Sequence, residues 1–109
     1  MGSPPLSDLG RYTGPATLIL SSLAGGARHG YALTKDIEQF AGVHLAPGTL
    51  YGALARLVEQ GLIEPIASED ERRRPYGITP AGSDALRRQL SEQQRVAEVG
   101  LRRLRGAVS

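Results

Sequence analysis

The period of the apolar positions changes several times along this chain, and each change marks an element. "PATLILSSLAGG" is apolar almost all round, through Leu18, Ile19, Leu20 and Leu23. That predicts a buried helix opened by Pro15 at its first position and stopped at Gly25-Gly26. "HGYALTKDIEQFAG" predicts a second helix over Gly30 to Ala41, ended by Gly42. Its core stripe takes Tyr31, Leu33, Ile37, Phe40 and Ala41, with Lys35, Asp36, Glu38 and Gln39 facing outward. A third helix is predicted from Pro47 to Gln60, because Leu50, Leu54, Leu57 and Val58 keep the i, i+4, i+7, i+8 spacing. Gly61 suits a left-handed stop.

The period then shortens. "LIEPIA" and "YGIT" flank the charged stretch "SEDERRRP" and predict a β-hairpin. Pro65 and Pro75 lack N–H donors, so each must take an edge or a strand end. Thr79-Pro80 reads as a helix cap with a first-position proline. A long helix follows, with Leu90, Ala97, Leu101, Leu104 and Val108 at seam spacing and Gln94 in one seam position. The predicted fold class is mainly α with a small β-hairpin wing (α+β): a winged helix-turn-helix plus a long C-terminal dimerisation helix. The expected partition is a flexible arm at 1–14, a winged helix-turn-helix domain at 15–80, and a dimerisation helix at 81–109.

Composition narrows the function. The 109-residue chain has no cysteine, which removes disulfides, thiol chemistry and cysteine-based zinc sites. No apolar run approaches the roughly 20 residues of a membrane span, and no secretory leader pattern opens the chain. A cytoplasmic protein with no membrane partner is the expectation. Seven basic and eight acidic residues precede Pro80, and six and three follow it. A nucleic-acid surface must therefore be local. Neither histidine, His29 or His44, has partners at metal-ligand spacing, and no catalytic triad, phosphate loop or calcium loop appears. The expectation is no enzyme, no metal and no cofactor.

The third helix raises the sharpest question. With its leucines inward, it turns Thr49, Gly52 and Arg56 outward, with Tyr51 and Ala55 on the flank. A helix face this bare suits something that approaches closely. A DNA major groove, about 12 Å wide, is one such partner, and another protein helix is the alternative. Thr49 then meets a phosphate or a base edge, and Arg56 a guanine or a phosphate.

"GYALTKDIE" at 30–38, "LAPGTLYGALARLVEQGLIE" at 45–64 and "RRRPYGITPAG" through residue 82 resemble the PadR-like bacterial transcriptional regulators. The resemblance covers about residues 16–90, and "PGTLY" followed by the spaced leucines is its most specific part. Family members often carry serine just before this Pro-Gly, where Ala46 stands here. Many have two aromatic residues in the last strand, where Pro75-Tyr76-Gly77 supplies one. The missing serine costs about 1 kcal/mol of capping and leaves the Pro47-Gly48-Thr49 end of the helix freer to meet a phosphate.

The resemblance implies a homodimeric repressor that binds double-stranded DNA at an inverted-repeat operator. Its implied DNA-binding set is Tyr31, Lys35, Pro47, Gly48, Thr49, Tyr51, Gly52, Arg56, Arg72, Arg73 and Arg74. The three arginines would take the minor groove beside the wing; a solvated, self-neutralising charge run is the alternative. Tyr31 reads as a phosphate contact or as a core aromatic. Dimerisation falls to Leu90, Ala97, Leu101, Leu104 and Val108, against the alternative of a solvent-bridging monomeric helix. Family members respond to small molecules, which implies a possible effector, with the seam between helix 1 and the C-terminal helix as its place. The competing functional reading is a winged-helix protein–protein interaction module that uses the same helix face without DNA.

Overall fold

The computed structural model describes residues 14–70 and 73–108. The arm expected at 1–14 lies outside them except for Gly14. Six elements follow the expected order. Helix α1 spans Pro15–Leu23, α2 Gly30–Ala41, α3 Pro47–Glu59 and α4 Pro80–Val108, while strands β1 (Ile63–Pro65) and β2 (Tyr76–Ile78) form the hairpin. This is a winged helix: three packed helices, a two-stranded antiparallel wing and a long final helix.

Each helix begins and ends where its local chemistry requires. Pro15 and Pro47 occupy first-turn positions, where a missing N–H costs nothing. His29 caps α2 by accepting the Ala32 N–H on Nδ1 at 3.3 Å, so this histidine has a structural partner. Gly42 (φ 68°) and Gly61 (φ 74°) supply the left-handed turns after α2 and α3.

The core is one cluster. Ile19, Leu23, Leu33, Ile37, Leu54, Leu57 and Ile63 are essentially sealed from solvent. Helix α1 lies in the middle and touches α2, α3, α4 and β2, as its nearly all-apolar surface demands. Three expected core positions are corrected. Phe40 is 51% exposed, Tyr31 69% exposed and Val58 36% exposed, with Ala53 taking the fourth inward place on α3. At the end of α2 the stripe passes through Ala41 to Val43, both packed against the core, and Phe40 is left at the rim. Tyr31 stands at the first turn of α2, on the side away from Leu33 and Ile37.

The strands are shorter than the apolar runs that predicted them. Register pairs Ile63 with Ile78, Glu64 with Gly77 and Pro65 with Tyr76. One more bond, from the Ile66 N–H to the Pro75 carbonyl at 2.8 Å, closes the ladder before the wing leaves it. The two prolines end the strands as their missing donors dictate.

The first turn of α4 is fastened to the end of the reader. The Thr79 N–H donates to the Leu62 carbonyl at 3.1 Å. Its hydroxyl donates to the Gly61 carbonyl at 2.7 Å and accepts the Gly82 N–H at 3.0 Å. Gly82 is there because nothing larger fits: a Cβ would sit 2.0 Å from the Leu62 carbonyl oxygen. Leu86 completes this docking at 6% exposure. Beyond it the helix leaves the body and sets the longest dimension of the molecule, 60 Å against 29 and 20 Å.

Replacing Gly82 with alanine forces backbone apart rather than a flexible side chain. The Gly82→Ala variant should lose roughly 2–3 kcal/mol, read as a lower urea midpoint; an unchanged midpoint would mean that α4 is not held at this contact.

Candidate nucleic-acid interface

The inner face of α3 buries Leu50, Ala53, Leu54 and Leu57. Its outer face carries Thr49, Gly52, Ala55 and Arg56, all exposed. Nothing lies within 4 Å of the places where Gly48 or Gly52 would carry a Cβ, so the backbone itself is the outer surface there. Ala46, at the N-cap, makes no side-chain hydrogen bond, and the first N–H groups of α3 point outward at the positive end of the helix dipole.

Helix α2 presents a second surface beside this one. The Lys35 ammonium stands 5.6 Å from the centre of the Tyr31 ring, within cation–π range. Between α2 and the start of α3 runs a groove of about 300 Å³, lined in part by Tyr31, Lys35, His44, Pro47, Leu50 and Tyr51. Tyr51 leans across it: a Cβ on Gly30 would meet its hydroxyl at 2.6 Å. Gly30 therefore makes room for the phenol, a role invisible in the helix pattern.

Glu38 sits in the same groove, hydrogen-bonded to His44 and 3.9 Å from Lys35. The His44 bond, reinforced by the charge of Lys35 and opposed by desolvation, holds the Glu38 carboxyl below its ordinary 4.5. Its carboxylate is therefore already engaged next to the surface that Lys35 offers.

On the wing, Arg73 and Arg74 are exposed, and Arg72 lies outside the described residues. The Asp70 carbonyl accepts the Arg73 N–H at 3.0 Å, and the Ser68 hydroxyl accepts the Asp70 N–H at 3.3 Å. These two bonds give the described part of the wing a defined turn. On α4, Leu90 (40%), Leu101 (57%) and Leu104 (66%) are exposed, as is Ala97; the Val108 side chain lies outside the described residues. Val96, 71% exposed, broadens the apolar strip beyond the expected seam. At the end of α1, a groove of about 390 Å³ is lined by Ala24, Ile78, Ser83, Leu86, Arg87 and Leu90.

One cluster escaped the sequence reading. Asp36, expected to face solvent, accepts the Ser22 hydroxyl at 2.6 Å and lies 3.6 Å from Arg28 Nε. The signal was Ser22: a hydroxyl on an otherwise apolar, buried helix has to find a partner. Among the described residues no group of metal-ligating side chains occurs and no helix is long and apolar enough to cross a membrane.

The family model for "Transcriptional regulator PadR-like family" matches residues 19–88. The chain is 46% identical over 80 residues to an uncharacterised 37.1 kDa protein of a Streptomyces fradiae transposon, covering 73% of this chain and 23% of that protein. It thus spans about a quarter of that relative. It is 40% identical over 82 residues to a transcriptional regulator of Mycobacterium tuberculosis, covering 71% of this chain and 76% of that one. Among solved structures, a transcriptional regulator from Clostridium thermocellum matches with a TM-score of 0.73 at 30% identity, over 89% of this chain and 94% of its own.

The Glu38–His44 pair makes a titration prediction. A carboxyl with a depressed folded value contributes stability above its unfolded value and loses it as the pH falls through the folded one; for so exposed a pair that contribution is small. In His44→Ala, the Glu38 carboxyl carbon followed by NMR should titrate closer to 4.5 than in the parent protein. An unmoved midpoint would remove His44 as the cause.

Proposed function

Since this chain belongs to the PadR-like family of transcriptional regulators, we propose that it acts by binding double-stranded DNA as a homodimer. Helix α3 enters a major groove and the wing meets the adjacent minor groove. The observation that carries this reading is the bare outer face of α3, where the Gly48 and Gly52 backbone is uncovered and the helix start has no side-chain cap. An uncovered backbone lets the helix axis come closer to base edges than a side-chain-clad surface allows.

The residues around that face have compatible chemistry. Thr49 and Arg56 are the polar groups that reach outward from it. Pro47, Gly48 and Thr49 line the N-terminus that would meet a phosphate, and Tyr31, Lys35 and Tyr51 flank it on the α2 side, where a helix-turn-helix crosses the backbone. Arg73 and Arg74, with Arg72 beside them in sequence, supply positive charge for the wing. The exposed leucines of α4 support self-association: Leu90, Ala97, Leu101 and Leu104 form an apolar strip that no described residue covers, and Val108 continues it in sequence. A two-fold dimer fits an inverted-repeat operator with half-sites ~34–36 Å apart. A repressor is the assignment in keeping with the family resemblance, and the protein works in the cytoplasm, where the DNA is.

Binding to fragments of the protein's own upstream region should fall steeply between 50 and 200 mM salt, because phosphate neutralisation releases counterions. A flat profile would sink the proposal. Replacing Arg73 and Arg74 with alanine should weaken binding evenly across sequences and reduce the salt slope by roughly 2. Arg56→Ala should instead cost roughly 1–3 kcal/mol and relax preference at one base pair. Should α3 dock a protein partner instead, the wing substitutions would leave binding unchanged. A Leu101→Gln, Leu104→Gln variant should sediment as single subunits; a dimer that persists would move the interface off α4.

A further inference from the structure

The wing is anchored on only one side by its own hairpin. Pro75, just before β2, and Gly77 within it turn toward β1, whereas the backbone groups of Tyr76 turn the other way. There they meet Arg28 in the α1–α2 connection, which donates its N–H to the Tyr76 carbonyl at 3.1 Å and accepts the Tyr76 N–H at 2.9 Å. This single reciprocal bridge makes Arg28 a one-residue third strand at the root of the wing. Its position is fixed in turn by its side chain. The Arg28 guanidinium lies against Gly25, donates from Nε to the Ser22 carbonyl at 3.3 Å, and faces Asp36 Oδ2 at 3.6 Å. Asp36 Oδ2 also accepts the Ser22 hydroxyl at 2.6 Å. Ser22 is 2% exposed, and the Arg28 and Asp36 side chains are 32% and 27% exposed.

The cluster thus ties α1, α2 and the loop between them to the root of the wing. Ser22 belongs to the central helix, Asp36 to the helix beside the reader, Arg28 to the loop, and Tyr76 to the wing. We propose that the Ser22–Asp36–Arg28 cluster sets the angle of the wing against α3, making Arg28 and Asp36 positioning residues for DNA binding although neither belongs to the DNA-facing surface. The chemistry suits the task. A charge-assisted bond fixes direction more tightly than apolar contact does, and a three-pair hairpin interrupted by prolines has little stiffness of its own. Removing Asp36 leaves the Arg28 side chain held only by its bond to the Ser22 carbonyl and loosens the residue that bridges Tyr76. The reader helix, packed through Leu50, Leu54 and Leu57, does not depend on this cluster.

This inference rests on the DNA-binding reading above, and its test separates the two. Asp36→Ala, Asp36→Asn, Arg28→Ala and the Arg28→Ala, Asp36→Ala double variant are compared with the parent by footprinting on a bound upstream fragment, with circular dichroism reporting folding. The expected result is selective. Protection of the minor groove beside the wing is lost, and the salt slope falls by roughly 1–2, while guanine protection in the α3 groove stays. The double variant loses less than the sum of the single ones, because the Arg28–Asp36 pair is common to both. Asp36→Asn keeps an acceptor for Ser22 and so folds even if Asp36→Ala does not; it should show the same loss. Amide exchange of Tyr76, measured without DNA, should quicken in each variant. Folded variants that retain the wing footprint would overturn the inference, as would equal loss in both grooves. Absence of any footprint from the parent protein would overturn the DNA-binding reading itself.

Discussion

One constraint governs this molecule: α3 must bury one face completely and leave the other almost without side chains. Leu50, Ala53, Leu54 and Leu57 take the inner face and lock the helix to α1 and β1. Because that face carries the packing energy, the outer face is released from any structural duty and tolerates two glycines. Glycine inside a helix costs about 1 kcal/mol against alanine. Gly48 and Gly52, with open space where their side chains would be, gain nothing in packing that offsets it. The same sequence stretch is thus overbuilt on one side and underbuilt on the other. That asymmetry is the feature on which the proposed DNA-binding role of α3 rests.

Much of this was legible in the residues. The helices, their glycine stops and the Thr79-Pro80 start of α4 follow from local rules that tertiary packing did not override. The third-helix orientation was equally readable, since Leu50, Leu54 and Leu57 determine which way Gly52 and Arg56 face, although Val58, which also kept the spacing, is exposed. Failures came where a residue's partner lies far away in sequence. Phe40 matched the core spacing, but Val43 in the following loop took the place beside Ala41. Asp36 looked like a solvated charge because its partners, Ser22 and Arg28, belong to other elements. Gly30 and Gly82 looked like ordinary helix residues, and only the approach of Tyr51 and of the Leu62 carbonyl explains them. Periodicity reports what a residue does within its own element and is silent on contacts between elements.

The polar cluster under the wing shows how a small domain fixes a slender appendage. Three paired positions make a poor lever arm, and apolar packing alone lets a hairpin pivot. The hydrogen bond from Arg28 Nε to the Ser22 carbonyl, backed by the Arg28–Asp36 ion pair, resists that pivot at its root. Among the described residues no buried polar side-chain atom lacks a partner, so the cluster carries no unpaired group that would offset its gain.

The outer half of α4 has a consequence for the life of the protein in a cell. From Leu90 onward the helix projects away from the body with its leucines uncovered, and isolated helical segments of that length are marginal in water. In the proposed dimer, whatever covers those leucines would also complete the fold, so folding and assembly would become one equilibrium governed by mass action. In the dimer proposed above, dilution would erode structure as well as association. The abundance of the polypeptide would then set what fraction of it is fully formed, and control over its synthesis would also be control over its shape.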